Sequence, residues 1–266
     1  MQYLFQAWES FSSDFRAASH ILLLSDYDGT LTPIVGRPDE AILSSEVREK
    51  LCALVEKPTF SVGVISGRSL SEIKMMVGIE GIYYAGNHGL EIEGPHLKLI
   101  NPVAEATQTE IRNLARQFSA KLSSTEGVIV EDKGLSLSVH YRLVKESEVD
   151  GVVQIFHQIT SPLLRKGKIR VTSGKKVWEV RPPVDWHKGK AVETIIKGLK
   201  SVLKPGQLLT IYLGDDTTDE DAFRIIHRPQ GWSIFVGPEN PSSNADYFLG
   251  STSEVMTFFS RLLGLR

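Results

Sequence analysis

The residues able to do chemistry come in three short groups far apart in the chain. They are Asp26-Tyr27-Asp28-Gly29-Thr30, Ser66-Gly67-Arg68 and Gly214-Asp215-Asp216, and each follows an apolar run. Asp26 and Asp28 have the spacing that puts two side chains on one face of an ideal strand, although Gly29 marks a bend there instead. Carboxylates gathered at a dry strand end repel one another and lose hydration. A divalent cation relieves both costs. An oxygen-only donor set suits Mg²⁺, with water and a substrate phosphate completing the shell. Asp215 or Asp216 is the remote carboxylate for such a set. Taken singly, each aspartate reads equally as a turn residue or helix cap; the clustering argues for a site.

The same groups offer anion donors. Gly29 and Thr30 present backbone N–H groups in a tight turn. Ser66 carries a hydroxyl just ahead of a helix, where anions are favoured. Lys188, in "DWHKGKAV", opens another helix and is a candidate phosphate partner, with Lys190 as its competitor. Neither a G-x-x-x-x-G-K-[ST] loop nor a G-x-G-x-x-G fingerprint occurs, so no nucleotide-binding motif of those kinds is present.

These groups need elements to carry them. Residues 21–25, 60–66, 81–89, 207–216 and 232–237 read as buried strands, and 44–56, 69–77, 188–202, the segment starting at 217, and 252–264 as helices. That alternation describes an α/β fold with a Rossmann-like parallel sheet. In an open parallel sheet, ligands bind beyond the carboxyl ends of the strands, so the polar groups are expected to converge. The middle reads differently: helix 103–122, strand pair 127–142, helix 145–165, then a strand pair over 168–182 turning at Ser173-Gly174-Lys175. This is an α+β layout. Residues 106–183 are read as an inserted domain, with 1–105 and 184–266 forming the core.

Composition limits the classes. A chain of 266 residues with net charge −2 has no basic excess, so no nucleic-acid footprint is expected. The single Cys52 rules out an internal disulfide and a Cys-rich zinc site, and a reducing cytoplasm is the simplest setting. No membrane span and no signal peptide are read, and residues 4–18 are expected to form an amphipathic helix docked on the core.

In this order, "DYDGTL", "VISGR", Lys188 in "HKG" and "GDDTTDEDAF" resemble the four motifs of the haloacid dehalogenase (HAD) superfamily. The longer forms "DYDGTLTPI", "GNHGLEI", "WEVRP", "HKGKAV" and "GDDTTDEDAF" are similar to its trehalose-6-phosphate phosphatase branch. The resemblance implies a C2-type cap over 106–183 and a Mg²⁺-dependent phosphatase. It makes Asp26 the nucleophile and Asp28 the general acid/base, with Mg²⁺ on Asp26, Asp215 and the Asp28 backbone carbonyl. It assigns phosphate to Ser66, Gly67, Thr30 and Lys188, and sugar hydroxyls to Glu131, Lys133 and Glu179, with His88 and Arg142 as further contacts. The implied partner is a small sugar phosphate, with a trehalose-6-phosphate synthase in the same pathway. Other readings are the same chemistry on another phosphorylated sugar or a glycosyl-3-phosphoglycerate, a phospho-accepting receiver module, and an inactive regulatory homologue.

Overall fold

The computed structural model describes residues 1–226 and 228–265. The chain divides into two compact units, Met1–Leu99 with Trp186–Arg266, and Ile100–Asp185. The first unit opens with β1 (Gln2–Tyr3), α1 (Trp8–Ala17), β2 (His20–Ser25), α2 (Ser45–Val55), β3 (Phe60–Ile65), α3 (Leu70–Val77), β4 (Tyr83–Gly86), β5 (Glu91–Gly94) and β6 (Leu97–Ile100). Then come α4 (Pro102–Lys121), β7 (Ile129–Asp132), β8 (Leu137–His140), α5 (Glu146–Arg165), β9 (Arg170–Gly174) and β10 (Val177–Arg181). The chain closes with α6 (Lys188–Lys200), β11 (Leu208–Gly214), α7 (Glu220–Phe223), β12 (Gly231–Val236), β13 (Tyr247–Leu249) and α8 (Thr252–Leu265).

One sheet runs β1-β13-β12-β11-β2-β3-β4-β5-β6. Pairs from β1 to β4 are parallel, and β5 adds antiparallel to β4. The central strands are apolar on both faces because helices cover both. In β2, Ile21 and Leu23 join the core under α1, α2, α3 and α8, while Leu22 and Leu24 join the core under α6 and α7. Each fully buried aliphatic side chain there stabilises the fold by about 1.5–3 kcal/mol. That anchorage makes the end of β2 a rigid platform. Tyr83, Tyr84, Phe223 and Trp232 are all core residues.

The second unit has an antiparallel sheet, β7-β8-β10-β9. One face carries Leu137, Val139, Trp178 and Val180 against Ile111 and Phe118 of α4 and Phe156 of α5. Phe156 stacks on Trp178 at 4.3 Å between ring centroids. The opposite face carries Glu131, Ser138 and Glu179 in one cross-strand row.

Three details depart from the sequence reading. Strands β1, β5, β6 and β13 were not anticipated; β1 and β13 are too short to show a period, and β5 and β6 lie at the half-exposed sheet edge. The helix expected from residue 217 is the single turn α7, because Asp216 Oδ1 accepts from the Thr218 amide and Asp219 Oδ2 from the Asp215 and Asp216 amides. The second hairpin turns at Lys175-Lys176 rather than around Gly174: β9 pairs through Gly174, and Lys176 takes the left-handed conformation with φ 64°. Among the described residues no helix is long and apolar enough to cross a membrane.

Candidate active site

Strand register aligns the ends that carry the polar groups. Ser25 of β2 lies opposite Leu213 of β11 and Val64 of β3, and the Asp26 amide donates to Leu213 O at 2.8 Å. Asp26, Asp215 and Ser66 therefore follow three adjacent strands at one carboxyl edge.

Lys188 is the first residue of α6, and it rather than Lys190 reaches this edge. Its Nζ donates to Asp26 Oδ1 and Asp219 Oδ1, both at 2.7 Å. Gly189 makes room, since a Cβ there would run into the Asp221 backbone of α7's first turn. Asp219 accepts on every side: Oδ1 from Lys188 and from the Tyr212 hydroxyl at 2.5 Å, Oδ2 from the amides of Asp215 and Asp216 at 3.1 and 3.2 Å. It sets the 215–216 turn and the lysine together. Burial alone would lower the Lys188 pKa, but the charges of Asp219 and Asp26 outweigh it and hold the ammonium protonated.

Single oxygens of Asp26, Asp215 and Asp219 lie within 4.8 Å of one another. Asp219 is fully engaged, which leaves Asp26 and Asp215 with capacity for a cation. Burial pushes Asp26 well above the usual carboxylate range despite Lys188. Burial, reinforced by the charges of Asp219 and Asp216, pushes Asp215 up to about 7. Gly29, at φ +87°, lies where any Cβ would overlap the Asp215 carboxylate. An oxygen-only, buried set with more carboxylates than cations fits a hard divalent ion. Asp216 stays below the usual carboxylate range: the Lys188 charge and the Thr218 hydrogen bonds overcome its burial.

Asp28 meets a different cation from Asp26. Both of its oxygens accept from Arg68, Oδ2 from Nε at 2.8 Å and Oδ1 from Nη2 at 2.7 Å. Ser66 is buried, and its Oγ accepts from the Arg68 amide at 3.2 Å. Thr30 is fully buried, and its Oγ1 has no hydrogen-bond partner among the described residues. Gly67 faces the His88 ring, and a Cβ at 67 would sit 2.8 Å from its Cε1 and Nε2. Asn87 and His88 both take left-handed conformations, φ 51° and 56°, which are costly outside glycine and concentrate at functional sites.

In the second unit the structure brings Glu131, Lys133 and Glu179 together. Lys133 Nζ lies 3.8 Å from Glu131 Oε2 and 3.9 Å from Glu179 Oε1. His140 Nε2 is 3.1 Å from Glu131 Oε2, and Ser136 Oγ donates to Glu179 Oε1 at 3.4 Å. Arg142 is not in this cluster; it follows β8 on an exposed turn, with Nη2 3.4 Å from Lys175 O. His88 belongs to the first unit. Arg68 and Tyr212 are residues that sequence reasoning left without a role. For Arg68 a signal existed, since Arg68 and Glu72 have i,i+4 spacing at a helix start.

The solved structure of a haloacid dehalogenase-like hydrolase from Bacteroides thetaiotaomicron shares this fold, with TM-score 0.62, 15% identity, and coverage of 91% of this chain and 99% of that one. The Trehalose-phosphatase family model matches residues 24–253, and the chain belongs to that family. The probable trehalose-phosphate phosphatase 4 of Oryza sativa subsp. japonica is 36% identical over 248 residues, which is 91% of this chain and 66% of the relative. The C-terminal domain of C. albicans trehalose-6-phosphate phosphatase is 25% identical, with TM-score 0.77 and coverage of 97% of each chain. The chain spans about two thirds of the length of the curated relatives it matches.

Proposed function

We propose that this chain is a Mg²⁺-dependent phosphatase that hydrolyses trehalose 6-phosphate to trehalose and phosphate. The observation that carries the reading is the separation of two aspartates, two residues apart, onto different buried cations: Asp26 on Lys188 and Asp28 on Arg68. That pairing supports Asp26 as the nucleophile and Asp28 as the group for proton transfer.

Asp26 attacks phosphorus through a carboxylate oxygen, and the bond to the sugar oxygen breaks. Asp28 donates its proton to that leaving oxygen. Water then attacks the aspartyl phosphate; Asp28 takes a proton from it, and the Asp26–phosphorus bond breaks. Lys188 holds Asp26 in line and offsets the charge of the phosphate oxygens. Ser66, Thr30 and the backbone at Gly67 are the phosphate donors. Mg²⁺ would be held by Asp26, Asp215 and the Asp28 backbone carbonyl, and when bound it supplies charge neutralisation between carboxylate and phosphate. Glu131, Lys133 and Glu179 are the sugar-hydroxyl contacts, since hydroxyls both donate and accept; His88 and Arg142 are further contacts. A trehalose-6-phosphate synthase supplies the substrate, and a reducing cytoplasm suits the unpaired Cys52.

The test is phosphate release from trehalose 6-phosphate, glucose 6-phosphate, sucrose 6-phosphate and a mannosyl-phosphoglycerate, with Mg²⁺ and with EDTA. A large preference for trehalose 6-phosphate, lost in EDTA, is expected. Preference for another substrate would keep the core chemistry and overturn the sugar assignment.

A further inference from the structure

The Asp28 carboxylate is gripped at two points by a side chain that is itself tied down elsewhere. Besides its bonds to Asp28, Arg68 donates through Nη1 to Glu72 Oε1 at 2.5 Å and through Nη2 to Pro38 O at 2.8 Å. The Tyr27 ring lies 5.6 Å from the guanidinium carbon. The Arg68 side chain is 7% exposed, whereas that of Asp28 is 41% exposed. The guanidinium is thus fixed by three other groups, and its aspartate partner is open to an incoming molecule. A two-point fork sets the plane of a carboxylate, which a lysine ammonium does not.

We propose that Arg68 is a positioning residue that holds Asp28 for its proton transfers. The inference rests on the phosphatase reading above. Glu72 and Pro38 O hold the guanidinium in place, so the fork fixes the plane and position of the Asp28 carboxylate relative to the leaving sugar oxygen and the attacking water.

Leaving-group chemistry separates this role from a purely structural one. A sugar alkoxide must be protonated to leave, whereas the p-nitrophenolate of p-nitrophenyl phosphate leaves without a proton. Misplacing a catalytic group by ~1 Å costs on the order of 10²-fold. In Arg68→Lys, trehalose 6-phosphate turnover is expected to fall about 10²-fold. Formation of the aspartyl phosphate from p-nitrophenyl phosphate should be nearly unchanged. Its hydrolysis, which also needs Asp28, should slow, so p-nitrophenol appears as a burst followed by a slow steady rate. Glu72→Gln, which loosens the guanidinium without removing it, should show the same split more weakly and serves if Arg68→Lys fails to fold by circular dichroism. Equal losses on both substrates without a burst, or no loss on either, would overturn the proposal while leaving the phosphatase reading intact. A wild-type protein inactive on both substrates would overturn that reading and this one with it.

Discussion

Asp219 holds Lys188 against Asp26: the ammonium lies 2.7 Å from a carboxylate oxygen of each, and all three side chains are buried. One lysine therefore links the helix start of α6 to the ends of β2 and β11. Asp219 spends its acceptors on this task and on the 215–216 turn, which gives it an architectural part beside Asp26 and Asp215.

Removing the lysine charge tests that arrangement. In Lys188→Met the buried carboxylates of Asp26 and Asp219 face each other uncompensated, and breaking such a pair costs about 3–5 kcal/mol. The sign of the pH effect follows from burial, which already raises both carboxyl pKa values in the folded state. A folded-state pKa above the unfolded one means that stability is lost as pH rises. Urea unfolding should therefore show a larger deficit at pH 8 than at pH 5, and an equal deficit at both would refute the pairing.

Metal binding should depend on pH through Asp215. With its carboxyl pushed up to about 7, the residue carries a proton below neutrality that a cation must displace. Mg²⁺ affinity, followed by calorimetry, is expected to weaken about tenfold per pH unit below 7 and to level off above it. The rise in melting temperature on adding Mg²⁺ should be larger at pH 8 than at pH 5.5. Proton-independent binding would contradict a raised Asp215 carboxyl at this site.

Gly29 is fixed by its neighbour as much as by its own conformation. Gly29→Ala places a Cβ at φ +87° and into the Asp215 carboxylate. The backbone cost alone is about 1–2 kcal/mol. Mg²⁺ affinity should fall further than stability does, and a variant that binds Mg²⁺ normally would show that Asp215 has room to move.

The polar face of the second unit should control substrate choice alone. Glu179→Gln is expected to raise KM for trehalose 6-phosphate by ~10–100-fold, the range of a hydrogen bond to a charged group. Turnover of p-nitrophenyl phosphate, which has no sugar, should be unchanged. Parallel losses on both substrates would remove Glu179 from sugar recognition.

Much of the fold is legible in the sequence because the central strands are apolar on both faces and their ends are polar. "LLLSDYDG", "VGVISGR" and "LTIYLGDD" show both features, and register then brings the ends level. Ser44 and Ser69 cap α2 and α3, accepting from the Val47 and Glu72 amides. Edge strands were not legible, since two or three residues of β1 and β13 carry no period. In the site, the sequence places the aspartates at strand ends, and the structure gathers Asp26 and Asp215 there. The sequence did not identify which cation Asp26 and Asp28 would each meet, because the Lys188–Asp26 and Arg68–Asp28 pairs span 162 and 40 residues of chain. Glu131, Lys133 and Glu179 drew together because β7 and β10 flank β8, an order that the sequence of elements does not state.

The division of labour between the two aspartates is tested most directly at Asp26. Protein mixed with trehalose 6-phosphate and Mg²⁺, quenched in acid within one turnover and digested, should carry a phosphoryl group on the peptide containing Asp26. In Asp26→Asn the group should be absent and phosphate release should fall by at least ~10³-fold with the fold intact. An unmodified Asp26 peptide, together with a folded Asp26→Asn variant that still releases phosphate, would contradict the account.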